Sequence, residues 1–204
     1  MPRLLSGPRL VAIAVAALTA YRVVQPLRSW GTRDEESASA LPGEELVPGP
    51  QVSLTQAISI AAPPDQVWPW IAQLGADKGG FYSYSWIENL GGARVVNADR
   101  IVPAWQHPVV GAQLWLHPML ALRIQRVEPG ELLVAGRPVT GGCGFQWIFV
   151  LRADGPGRSR LLVRERYVVP SALGRVAARV AAVGSAVMSQ RMLRGIRDRA
   201  ESLG

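Results

Sequence analysis

The sequence predicts an α+β domain. Three observations carry this: a period-two apolar pattern opens the folded part, short strand patterns separated by turn residues follow, and a long helical pattern closes it. At 204 residues, with the first 50 unlike the rest, the chain has room for one domain of about 150 residues plus an N-terminal extension. Apolar residues make up 49% of it and charged residues 18%, a balance that suits a compact core and excludes wholesale disorder.

Residues 1–33 hold Arg3, Arg9, Arg22, Arg28 and Arg33 and no acid, and they enclose the uncharged run Leu10–Tyr21. That run is shorter than the roughly 20 residues a spanning helix needs. The stretch between Pro8 and Pro26 would make a helix of about 25 Å, with Arg9 and Arg22 reaching to the two interfaces. We therefore expect residues 1–30 to be a membrane anchor, a single pass at the cell membrane. The rivals are an interfacial or core-packed helix and a cleaved signal peptide, although Ala17-Leu18-Thr19-Ala20 offers no small-x-small cleavage site. Two arginines before the run and three after it weigh weakly for a cytoplasmic domain.

Residues 31–50 are acidic and rich in proline and glycine, and they read as a linker. The domain proper is expected over 51–204. Val52, Leu54, Ile58 and Ile60 share one side of a strand, with Ser53, Thr55, Ala57 and Ser59 on the other. A helix starts near Pro64 or Asp65, carries the apolar stripe Val67, Trp68, Ile71 and Leu74, and stops at Gly75. Pro69 is awkward within it and is expected to bend it. A short helix over 83–90 ends at Gly91-Gly92, and 94–108 is a loop or irregular strand. Strands are expected over 111–117, 121–127, 131–135, 145–152 and 160–169, the last two joined as a hairpin by Asp154-Gly155-Pro156-Gly157. Helical spacing runs from Ser171 to about Ser202, a rod long enough to suggest a break near Gly174 or Gly184-Ser185.

Charge and composition narrow the function. Residues 34–169 carry eleven basic against thirteen acidic side chains, whereas residues 170–204 carry six against two. The basic excess lies at the two ends, so the body is not built for nucleic acid; an anionic membrane is the better partner for such ends. His107 and His117 have no ligand spacing with each other or with Cys143, so no metal is expected. One cysteine allows no internal disulfide, and in its glycine cluster Cys143 reads as a small residue where backbones crowd. Gly79-Gly80 and Gly91-Gly92 lack the phosphate fingerprint and read as turns; no cofactor is implied.

The stretch from Ile60 to Gln106 holds four of the seven tryptophans and many turn residues, which reads as helices and loops closing over a pocket. Within it Asn97-Ala98-Asp99-Arg100 is the most chemically suggestive cluster. Asp99 and Arg100 beside Trp105 either place a proton acceptor and an oxygen-binding guanidinium at a cavity mouth, or tie down a loop, with Arg100 pairing to Asp99 or Glu88. Glu165, the one acid on the face shared by Leu161, Val163 and Tyr167, is the second candidate. It is either a cavity-facing acid or the partner of an arginine such as Arg152.

The order of elements resembles the START-like (SRPBCC, polyketide cyclase/dehydrase and lipid-transport) superfamily. Trp30–Glu36, Leu41–Pro48, Ala62–Leu74, Gly79–Leu90, Asn97–Gln106 and Arg191–Ala200 resemble its actinobacterial membrane-associated members more narrowly. The resemblance implies a helix-grip fold, a curved antiparallel sheet wrapped around a long C-terminal helix with a hydrophobic cavity between them. It implies a binder or carrier of a hydrophobic small molecule or lipid, with a cyclase or dehydratase-type enzyme or a non-catalytic membrane module as the alternatives. On that fold the candidate ligand-binding residues are Trp86, Asn97, Asp99, Arg100, Trp105, Trp147, Met188 and Met192, and the candidate catalytic residues are Asp99 and Glu165.

Overall fold

The structure, a computed structural model, describes residues 26–140 and 143–203, with the side chains of 138–140 and 143 outside the description. Most of the expected anchor, residues 1–25, and the reading of the Cys143 side chain therefore lie outside the described residues.

Six antiparallel strands form one open sheet in the order β1-β6-β5-β4-β3-β2. They are β1 (Val52–Ile60), β2 (Gln113–His117), β3 (Leu120–Glu128), β4 (Leu132–Thr140), β5 (Cys143–Ala153) and β6 (Ser159–Val168). A short helix α1 (Asp34–Ala38) precedes the sheet, and helices α2 (Pro64–Ala72) and α3 (Ser85–Leu90) follow β1. The chain closes on α4 (Ala172–Glu201). This is the α+β architecture the sequence predicts, a sheet packed against a long C-terminal helix. Strand boundaries move by a few residues, because ladder bonds extend β4 and β5 past the apolar patterns that announced them.

The inner face of the sheet carries the main core. Ile58, Ile60, Phe149, Leu161 and Val163 meet Trp70 and Ile71 of α2 and Met192, Leu193 and Ile196 of α4. Leucine- and valine-sized side chains removed from water here each contribute about 1.5–3 kcal/mol before entropy. Pro69 is accommodated inside α2, whose buried face Val67, Trp68, Trp70 and Ile71 is intact around it.

Helix α4 runs unbroken through Gly174 and Gly184, so the expected break is absent. Ala178, Ala182 and Ala186 recur every fourth residue and are buried, the first two against Val52 and Leu54 of β1. Small side chains let helix and strand approach closely along their length, which removes the reason to bend. By length and composition α4 is the one helix among the described residues that could cross a membrane, yet its second half is core.

Residues 31–50, expected as a linker, pack instead on the outer face of the sheet. Leu41 joins Ala57, Leu132, Val134, Ile148, Val150 and Leu162 in a second apolar cluster. Acidic side chains tie this strap to three arginines of β6. Arg160 forks onto Glu36 (Nε to Oε1 2.8 Å, Nη2 to Oε2 2.6 Å) and also donates to the Gly31 carbonyl at 2.6 Å. Arg164 pairs with Glu44 and donates to the Glu36 carbonyl at 2.8 Å. Arg166 donates to the carbonyls of Glu44 (2.6 Å) and Val47 (2.9 Å). The acids that suggested a solvated linker are thus counter-charges for guanidinium groups on a neighbouring strand. Pairs distant in sequence leave no local pattern to read.

Candidate functional site

Between the inner face of the sheet, α4 and the segment before β2 lies a cavity of about 190 Å³. Its construction follows from two periodicities. On α4, Ser185, Met188, Ser189 and Met192 sit at i, i+3, i+4 and i+7 and so share one face. On the sheet, Phe145 and Trp147 of β5 alternate inward, and Trp147 is paired across the ladder with Glu165 of β6. Leu116 of β2, Phe81, Ser83 and Glu88 complete the walls.

Glu165 is 1% exposed. No cation meets it. Its carboxylate accepts from Tyr167 Oη (2.6 Å to Oε2), from Ser185 Oγ (2.8 Å to Oε1 and 2.7 Å to Oε2) and from Ser189 Oγ (2.8 Å to Oε1). Of the two readings of Glu165, the pairing with an arginine such as Arg152 is not the one found: Arg152 is exposed, and alternation sends Arg164 and Arg166 to the opposite face, where the strap takes them. Burial pushes the Glu165 carboxyl above its ordinary value, with the three hydroxyls pulling the other way. Burial also raises the Tyr167 hydroxyl, and the adjacent carboxylate adds to that.

Glu88 is the second acid of the cavity, and the only role read for it from the sequence is a surface partner for Arg100. Its Oε2 is buried with no hydrogen-bond partner among the described residues, and burial pushes the carboxyl up to about 7. Its only sequence signal was its place on a helix read as lining a pocket.

The segment over the cavity is held by Asn97. Its Oδ1 accepts from the backbone N–H of Phe81 (3.1 Å) and Tyr82 (2.7 Å), and its Nδ2 donates to the Ser83 carbonyl at 3.1 Å. These bonds fix Tyr82 at φ 55°, a left-handed conformation rare for a bulky residue, next to Gly80 at φ 72°. A Cβ at Gly80 would meet Asn97 Oδ1 at 2.5 Å, so both the conformation and the space call for glycine. Ser83 Oγ then donates to the Met188 carbonyl at 3.0 Å, docking the segment on α4.

Of the sequence candidates, Trp147, Glu165, Met188 and Met192 meet in the cavity. Asn97 lies behind the wall as its clamp. Asp99 and Arg100 are exposed, and no ion pair of either occurs among the described residues. Gln73 Nε2 donates to the Arg100 backbone carbonyl at 3.1 Å, so this loop is held through its main chain. Trp105 sits half-buried in a 3-10 turn, Pro103–Trp105, and Trp86 is 66% exposed on α3; neither is a wall of the cavity. No cluster of three metal-ligating side chains occurs among the described residues.

Neither a protein-family model nor a curated protein matches the sequence. Solved structures do. A hypothetical protein from Helicobacter pylori is similar with a TM-score of 0.51 at 10% identity, over 84% of this chain and 99% of its own. A protein from Thermobifida fusca reaches 0.50 at 13% identity, over 74% and 94%. A polyketide-cyclase-like protein from Corynebacterium glutamicum aligns more loosely, at 0.40 and 15% identity over 74% and 91%. The first two show that the fold is shared. At these identities it is the fold alone that they show.

Proposed function

We propose that this chain binds an apolar small molecule in the cavity under α4 and holds it near a membrane. The observation that supports the reading is a buried carboxyl, Glu165, set with three hydroxyl partners in a cavity whose other walls are mainly apolar: Phe81, Leu116, Phe145, Trp147, Met188 and Met192, with Ser83 and Glu88. A core that only needed filling would gain stability from an aliphatic residue at that position, since a buried charge is costly to maintain. Ligand sites combine apolar walls with a few convergent polar groups in this way.

The membrane part rests on the apolar run of residues 10–21 and on the first half of α4. There Leu173, Val176 and Val180 are exposed, with Arg175 and Arg179 among them. The full-length chain is expected to stay with membranes through alkaline carbonate washing; release by that wash removes the anchor from the reading. For the binding part, purified full-length protein is extracted with solvent and the extract analysed by mass spectrometry. A stoichiometric, mainly apolar compound is expected, and recovery of only a multiply charged metabolite would overturn the reading.

A second reading, an enzyme of the cyclase or dehydratase kind, is favoured by one observation: two carboxyls held above their ordinary values, Glu88 and Glu165, line the same cavity. If Glu165 moves a proton, Glu165→Gln lowers turnover of the extracted compound by roughly 10²–10⁴ with affinity nearly unchanged. In a binder the same change alters affinity and there is no turnover to lose.

A further inference from the structure

We infer that the molecule bound in the cavity presents a hydrogen-bond donor, a hydroxyl or an ammonium group, and carries no anionic head; this rests on the binding reading above. The argument is an accounting of protons. Four hydroxyls lie in or beside the cavity, and with Glu165 ionised each already gives its proton to the protein. Ser83 donates to the Met188 carbonyl, while Tyr167, Ser185 and Ser189 all donate to Glu165. What these groups offer a ligand is lone pairs.

The carboxyls point the same way. Ser185 is within bonding distance of both Glu165 oxygens but has one proton, so three donors serve a group with about four acceptor sites. Glu88 Oε2 has no partner among the described residues. Against these acceptors stands, among the described side chains of the cavity, one unspent donor, the indole Nε1–H of Trp147, buried with no partner among them. One such N–H suits a neutral carbonyl or ether oxygen. It cannot offset a ligand carboxylate or phosphate placed between two acids.

Nor can a nearby cation. Among the described residues, none that lines the cavity is Arg, Lys or His. Arg164 and Arg166, the neighbours of Glu165 in sequence, bond to the strap on the other face. On α4, Arg194 lies 4.7 Å over the Trp30 ring and Arg199 lies 4.7 Å over the Tyr82 ring, while the half-buried Arg191 is not a wall of the cavity. A buried anion without a cation or several donors is strongly disfavoured, and two carboxyls alongside make it more so. Fatty acids and phospholipids are therefore poor occupants. Apolar alcohols, phenols and amines are good ones.

The test uses full-length protein and three probes with one aromatic skeleton: 2-naphthylmethanol, 2-naphthylmethylamine and 2-naphthoate, titrated calorimetrically near pH 8, where the amine is cationic and the acid anionic. The alcohol and the amine are expected to bind roughly tenfold or more tighter than the carboxylate, the loss expected when an anion meets unpaired acceptors. In Glu165→Gln the amine should lose roughly tenfold relative to the alcohol, and the gap to the carboxylate should narrow. Carboxylate binding equal to or tighter than that of the other two overturns the donor inference and leaves the binding reading standing. Failure of all three probes to bind overturns both. An unchanged ranking in Glu165→Gln removes Glu165 as its source and overturns the inference in this form. Should that variant not fold, the ranking in the wild-type protein still decides, and Glu88→Gln supplies the second variant.

Discussion

The two faces of strand β6 treat charge in opposite ways. On the outer face Arg160, Arg164 and Arg166 are each less than 10% exposed, and a strap from the N-terminal side meets them with carboxylates and carbonyls. On the inner face, one residue away in sequence, Glu165 is more deeply buried and has only hydroxyls. The outer face shows what a satisfied buried charge looks like in this molecule. Measured against it, the inner acid is a buried carboxyl with no guanidinium partner among the described residues.

The largest way to break the comparison is on the outer face. Arg160→Ala strands the Glu36 carboxylate, which is as buried as its partner, and removes the donors to Gly31 and Ser59 as well. We expect a loss of about 3–5 kcal/mol, the range for leaving one member of a buried pair unpaired, measured by urea denaturation. A loss below about 1 kcal/mol would mean that the strap is not fastened as described.

Next in size is the clamp that shapes the cavity roof. Asn97→Ala leaves the N–H groups of Phe81 and Tyr82 without their acceptor and Tyr82 at φ 55° without its restraint. A cost of about 2–3 kcal/mol is expected from the stranded donors, together with weaker probe binding. Gly195→Ala is expected to destabilise by about 1–3 kcal/mol although alanine is the better helix former, because the new methyl would sit against the Tyr82 carbonyl. Stabilisation of that variant would show that the roof and α4 are further apart than the geometry requires.

The smallest and sharpest effect is in pH dependence. Burial alone would raise Glu36, but the hydrogen bonds from Arg160 and the Arg33 backbone N–H outweigh it and hold the carboxyl below its ordinary value. Its stabilisation is therefore present above the ordinary carboxylate value and is lost as pH falls through the lower folded one. Glu165 is raised by burial, so its folded form holds the proton longer. The cost of ionising it is absent below the ordinary value and grows as pH rises from there through the folded one. Melting temperatures of Glu36→Gln and wild type should converge on acidification, whereas Glu165→Gln should gain on wild type as pH rises. Parallel slopes for the two variants would erase the contrast between the faces. Glu88→Gln should follow the Glu165 pattern more weakly, its gain developing between the ordinary carboxylate value and about 7.

Much of this was legible beforehand, and the rest was hidden for identifiable reasons. Period-two spacing put Trp147 on one face with Phe145 and Phe149 and Glu165 on one face with Leu161 and Val163, and period 3.6 put Met188 and Met192 on one helix row, because both patterns are local; which strand face turns to the cavity is not readable from spacing. Asp99 and Arg100 drew attention as a charged pair in a charge-poor region. Folding left their side chains exposed and used instead the Arg100 carbonyl, a group every residue has and no sequence pattern marks. Asn97 was read as a ligand contact; it is a backbone clamp, and the strained Tyr82 it restrains carries no glycine or asparagine signature.

By itself, then, the sequence determined the class of fold, the order of the main elements from residue 51 onward and which residues share a face of each strand or helix, since these follow from local periodicity and turn chemistry. Tertiary structure decided the pairing of charges. Whether an acid becomes a counter-ion, as Glu36 and Glu44 do, or a lone buried carboxyl, as Glu165 does, depends on which distant segment arrives opposite it. Arg160 and Glu36 are 124 residues apart, and only the folded sheet brings them within 2.6 Å.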